Sequence, residues 1–174
     1  YGVFETLRDM KQMIEVEAGQ ASLAADIKRG RGGIREIEFI AQCFQLLRGG
    51  ADPSLRDTAL QNVLPRLTVT RQLQSRAVDE LISAYRFLRT VDNRLQEWRD
   101  QQIHSLPQGD AERLRLAYGM GFGDWPSLVA EIDRQRDCVE GWFTMQFAGS
   151  DDGSASVEGL QALWAQRLES DISI

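Results

Sequence analysis

The amino-acid sequence predicts an all-α protein, an up-and-down bundle of five or six helices. Three observations lead there. Apolar residues recur at three- and four-residue spacing along nearly the whole chain. No stretch alternates apolar and polar residues as a half-buried strand would, and the periodic stretches are joined by short breaks rich in glycine or proline. The expected organisation is a bundle over residues 1–148, then a linker and short terminal helix over 149–174.

Taken in order, a first helix is expected over residues 3–17, with Val3, Leu7, Met10 and Ile14 on one stripe. A connection with a possible short helix at 22–26 leads to a second helix over 34–47. There Ile34, Ile37, Ala41 and Phe44 share a face and Ile40, Cys43 and Leu47 widen it, so this helix belongs at the centre of the bundle. Gly49 and Gly50 supply its stop signal. A third helix is expected over 56–74, carrying Leu60, Val63, Leu64 and Leu67, with a kink at Pro65. The fourth, capped near Ser75, runs to about residue 98 and buries Val78, Leu81, Ile82, Tyr85, Leu88, Val91 and Leu95. A loop with Pro107 and Gly109 precedes a short helix at 110–118. Gly119, Gly121 and Gly123 mark a turn, and a sixth helix follows from residue 125 or 126 to 147, Pro126 suiting its first turn. Residues 148–156 read as a linker and 157–168 as a small terminal helix.

Length and composition are those of one globular domain: 174 residues, 43% hydrophobic and 26% charged. A formal charge of −6 argues against a general nucleic-acid binder, which needs a large cationic surface, so any phosphate affinity must be local. No secretion signal or bilayer-length apolar run is visible, and a cytoplasmic location is expected. A chain that starts at Tyr1 reads as a piece of a longer one. Cys43 and Cys138 lie on apolar stripes without neighbouring ligand residues and are expected to be free core thiols. His104, the single histidine, falls in a polar segment where a solvated or capping role is expected. The aromatic residues Tyr85, Phe87, Trp98, Trp125, Trp142 and Phe143 fall at helical spacing and are assigned to packing, in the core or against another domain.

The stretch from Asp26 to Phe39 carries the chemistry. Lys28, Gly30, Gly32 and Gly33 stand directly before the helix that begins at Ile34, and Arg35, Glu36 and Glu38 occupy its first turns. Glycines allow close backbone approach to an anion, unpaired helix amides would point at it, and Lys28 and Arg35 would add charge-assisted bonds. The plainer reading is a glycine loop between helices with solvated arginines. Arg35 and Glu38, three apart, are expected to share a face, where they either pair with each other or present a cation and a carboxylate to one pocket. In the fourth helix, Arg86, Arg89, Asp92 and Asn93 form a polar strip read as solvated surface.

The run Lys28-x-Gly30-x-Gly32-Gly33-Ile34-Arg35-Glu36-Ile37-Glu38-Phe39 resembles the signature of the bifunctional glutamine synthetase adenylyltransferases, which attach AMP to a tyrosine of glutamine synthetase and remove it by phosphorolysis. The likeness continues through residues 44–50, 85–89, Leu95-Gln96, Leu106-Pro107 and 120–125, and a looser form of the motif occurs in PII uridylyltransferases. It implies a helical accessory domain beside a nucleotidyltransferase domain of the same polypeptide. Arg35-Glu36 and the tail at 160–168 favour the first, adenylyl-removing half. Family members commonly carry glutamate where this chain has Asp92. The family's Ser-Asp-x-Asp-Leu signature, whose aspartates hold magnesium, is absent from this sequence; Asp151-Asp152, in a Gly/Ser segment, reads as linker. The resemblance therefore implies a fragment inactive alone, with no catalytic residue or metal ligand of its own. Mg2+ and ATP or ADP would be bound mainly by the absent domain, with Lys28, Gly30, Gly32, Gly33, Arg35, Glu36 and Glu38 near the nucleotide or phosphate. It implies glutamine synthetase and the PII signalling protein as partners, and neither nucleic acid nor membrane. The rival readings are a docking module for glutamine synthetase or PII, and the helical domain of a PII uridylyltransferase.

Overall fold

The structure, a computed structural model, describes residues 24–97 and 104–147. Five α-helices make up the described part: α1 (Ile34–Arg48), α2 (Leu60–Val69), α3 (Ser75–Glu97), α4 (Asp110–Gly119) and α5 (Trp125–Phe147). The helices expected at 3–17 and 157–168, the linker at 148–156, the boundary at 148 and Trp98 lie outside the described residues. Of the short helix expected at 22–26, residues 24 and 25 are helical, and Asp26 already pairs with Ser105.

Helix α1 is the buried axis the sequence pattern demands. Ile34, Ile37 and Ile40 have no exposure, and Phe39, Ala41, Cys43 and Phe44 are buried around them. At about 1.5–3 kcal/mol for each fully buried large aliphatic side chain, those three isoleucines alone anchor the helix. The helix ends where Gly49 N–H donates to Gln45 O at 2.7 Å. Long helices α3 and α5 pack against each other; α2 covers α3, α4 lies on α3 and α5, and α1 touches α2, α3 and α5. Rings close two of these seams: Phe39 and Phe143 lie 5.7 Å apart between α1 and α5, and Phe87 meets Phe122 edge-on at 6.4 Å. Phe143 is buried, and Tyr85, Phe87, Trp125 and Trp142 pack half-buried on the core.

The segment from 56 to 74 departs from expectation. A 3-10 turn at Pro53–Leu55 is followed by irregular chain in which Asp57 accepts from the Ala59 amide and from Asn62, each at 2.8 Å, so helix α2 starts only at Leu60. It ends early in a Schellman arrangement: Gln72 N–H reaches Leu67 O at 2.8 Å and Arg71 N–H reaches Thr68 O at 3.0 Å. Arg71 holds the left-handed position, φ 57°, that glycine usually occupies. Pro65 lies inside α2 on its exposed side.

The thiols differ from each other. Cys43 is buried among apolar side chains, which pushes its thiol well above the ordinary range. Cys138 is half-buried, not a core residue: its Sγ lies 3.5 Å from Glu80 Oε2, which also accepts from Trp142 Nε1 at 2.7 Å.

Candidate functional site

The glycine loop is built from backbone hydrogen bonds before any side chain matters. Residues 25–27 run antiparallel to 104–106: Ile27 N–H donates to His104 O at 2.8 Å, and Leu106 N–H to Ala25 O at 2.9 Å. The Asp26 carboxylate then turns the chain by accepting the amides of Lys28 and Arg29, both at 2.8 Å. Gly30 N–H closes on Asp26 O and Gly33 N–H on Gly30 O. The start of α1 is filled from within: Ile34, Arg35 and Glu36 donate to Ile27, Lys28 and Gly33 carbonyls at 3.3, 3.0 and 3.1 Å. The amides that the sequence suggested for an anion are thus satisfied by the chain's own carbonyls.

The loop is also pressed onto α5. A Cβ built on Gly32, whose φ is +65°, would stand 2.1 Å from Arg136 O; on Gly33 it would stand 2.7 Å from both Gly30 O and Lys28 O. Arg136 reaches from α5 to donate to Ala24 O at 2.8 Å and Asp26 O at 2.6 Å. Burial lowers the pKa of its guanidinium, against the opposing fields of Asp133, Asp26 and Glu36. Arg31 bonds Glu140 and lies 3.7 Å from Asp137. Gly30, Gly32, Gly33 and Glu36 are all buried, and the charge of Glu36 acts on Arg31 and Arg136, on the α5 side.

Lys28, Arg35 and Glu38 gather on a second side. Arg35 Nη1 bonds Glu38 Oε2 at 3.3 Å, both side chains about five-sixths covered, with exposures of 15% and 17%. The Lys28 ammonium is lowered from its ordinary pKa by burial first and by the Arg35 charge second, while Asp92 and Glu38 pull it back up and Arg29 lowers it further. Beneath them Asp92 has no exposure at all, and His104 is buried with Nδ1 2.6 Å from Asp92 Oδ1. Gln96 and Arg89 donate to Asp92 Oδ2 at 3.1 and 3.4 Å. The sequence leads to solvated surface for Asp92 and a solvated or capping role for His104, and both are instead buried. The strip on α3 divides instead: Asp92 turns inward, while Arg86 and Asn93 are exposed.

The sequence motif therefore splits in space. Gly30, Gly32, Gly33 and Glu36 belong to the contact with α5, whereas Lys28, Arg35 and Glu38 share a partly dehydrated cluster with Asp92. From Glu38 a groove of about 700 Å³ continues along α1 past Gln42 to Asp57, Asn62 and Tyr85, its floor fixed by Gln45, whose amide donates to Leu55 O and Asp57 O. Among the described residues no group of three His, Cys, Asp or Glu side chains could hold a metal ion, and no helix is long and apolar enough to cross a membrane.

Comparison with known proteins places the chain in a family. A family model described as GlnD PII-uridylyltransferase matches residues 8–147. The chain belongs to that family. Within it, the curated relatives carry the name bifunctional glutamine synthetase adenylyltransferase/adenylyl-removing enzyme. The protein of Thioalkalivibrio sulfidiphilus is 46% identical over 173 residues, covering 95% of this chain and 18% of the relative. That of Nitrosococcus oceani is 43% identical over 148 residues, 85% of this chain and 15% of the relative. That of Xanthomonas campestris pv. campestris strain ATCC 33913 is 46% identical over 143 residues, 82% of this chain and 15% of the relative. The chain spans less than a fifth of the length of these relatives and is a helical piece of a protein of this family.

Proposed function

We propose that this chain is the helical accessory domain of the adenylyl-removing half of a glutamine synthetase adenylyltransferase, and that Lys28, Arg35 and Glu38 face the active cleft formed with the nucleotidyltransferase domain. The observation that carries the reading is the largely covered Arg35–Glu38 ion pair, 3.3 Å long with exposures of 15% and 17%, in the first turns of the helix that directly follows the loop carrying Lys28. A guanidinium held in one geometry by a carboxylate, with an ammonium on the preceding loop, offers charge-assisted donors to an oxyanion. The phosphate contact is thus assigned to side chains, with Gly30, Gly32, Gly33 and Glu36 shaping the loop that presents them.

In this reading, carboxylates of the catalytic domain hold Mg2+ and ATP or ADP, which supply the charge neutralisation that phosphoryl chemistry needs. The chain described here orients and neutralises the anion and is inactive alone. Glutamine synthetase is the protein substrate, PII the signalling partner and the cytoplasm the location. A docking role for glutamine synthetase or PII draws on a different observation, the exposed Leu114 and Tyr118 one turn apart on α4.

Arg35→Ala in the full-length enzyme tests the reading. Phosphorolytic removal of AMP should fall about a hundredfold, the equivalent of roughly 3 kcal/mol of lost transition-state contact. Thermal midpoint should stay within about 2 °C of the parent. Undiminished turnover would leave the docking role ahead; so would a loss of folded protein large enough to account for the missing activity.

A further inference from the structure

A carboxylate taken wholly out of water must be met by donors or charges, and Asp92 is met by three residues. His104 Nδ1 lies 2.6 Å from one oxygen, and Gln96 and Arg89 donate to the other at 3.1 and 3.4 Å. Gln96 Nε2 also lies 3.3 Å from His104 Nδ1, and both nitrogens donate to the one carboxylate, which draws ring and amide together. The main chain of His104 does a second job: its carbonyl accepts the Ile27 amide at 2.8 Å. Ile27 precedes Lys28, and the Ile27 carbonyl in turn accepts from Ile34, which precedes Arg35. One residue is thereby joined to α3 through its ring and, through its backbone, to the point from which both cations leave the chain.

We propose that His104 is a positioning residue for an oxyanion site formed by Lys28 and Arg35, holding Asp92 in place with its ring and the Lys28 loop with its carbonyl, so that the two cations address one phosphate or phosphoryl group at a fixed separation. This rests on the proposed function and adds to it a residue outside the glycine motif. The ring acts through Asp92 and never touches the anion.

The test uses full-length enzyme and inorganic phosphate as the varied substrate for AMP removal, with KM and kcat measured separately. Replacement by Asn places an amide nitrogen where Nδ1 stood; replacement by Gln carries the amide one bond further, out of reach of that bond. His104→Gln should raise the phosphate KM about tenfold, with kcat changed less than about threefold and the KM for modified glutamine synthetase unchanged, whereas His104→Asn should stay within about threefold of the parent in every constant. Both variants keep a polar side chain of similar size, and the same preparations are checked for thermal midpoint. Equal behaviour of Asn and Gln, or a kcat loss with phosphate KM unmoved, would overturn the positioning role. Arg35→Ala and Lys28→Ala with normal phosphate KM would instead defeat the oxyanion site itself, whatever His104 does.

Discussion

Two glycine clusters, at 30–33 and at 119–123, look alike in sequence and obey different constraints. Each contains one residue with positive φ, Gly32 at 65° and Gly121 at 83°. Around Gly32 and Gly33 the absent Cβ is already replaced by other atoms: the Arg136 carbonyl on one, the Gly30, Lys28 and Ile27 carbonyls on the other. Around Gly119, Gly121 and Gly123 a Cβ would meet nothing within 4 Å. The first cluster is needed because backbone lies against backbone; the second needs at most the torsion of a turn. A glycine-rich run marks a special site only when something occupies the space the side chain would fill.

Alanine substitutions sharpen that contrast. Gly32→Ala should have the largest effect, above about 3 kcal/mol, since it adds left-handed strain to a collision with a helix carbonyl that has no room to retreat. Urea unfolding of the protein measures it, and a shift below about 1 kcal/mol would mean that loop and α5 are not in contact in solution. Gly121→Ala, with the same torsional demand and open surroundings, should cost about 1–2 kcal/mol. If it cost as much as Gly32→Ala, torsion and not crowding would govern both clusters. Gly119→Ala, at the last residue of α4, should raise stability by up to about 1 kcal/mol, because alanine restricts the unfolded chain and fits the helix. A loss there, read as a lower thermal midpoint, would reveal a neighbour close to that turn.

Much of the fold was legible because its signals are local. The apolar stripes of α1, α3 and α5 and the stop at Gly49 are properties of consecutive residues, and those helices lie where the pattern put them. Helix α2 was read too long at both ends. Its start depends on Asp57 bonding its own neighbours, and its end on a left-handed Arg71, a position for which arginine gives no sequence cue. The geometry of the candidate site was legible only in part. Lys28, Arg35 and Glu38 were named from the motif, yet the filling of the helix start by loop carbonyls is a tertiary outcome no spacing reveals. Asp92 reads as solvated surface and His104 as solvated or capping because each stands among polar residues; their pairing arises from the return of residues 104–106 to the loop before α1. Arg136 was missed for the same reason, since its two acceptors lie more than a hundred residues earlier.

The contact at Gly32 has a mechanical consequence. Side chains yield by rotating, and most junctions between elements include a layer of them to absorb small displacements. Here there is no such cushion: main chain rests on main chain, and Arg136 grips the carbonyls of Ala24 and Asp26 beside it. A shift of half an ångström in the middle of α5 must therefore carry the loop, and the ammonium of Lys28, almost the same distance. Whatever leans on the outer surface of that helix also moves the loop that carries Lys28.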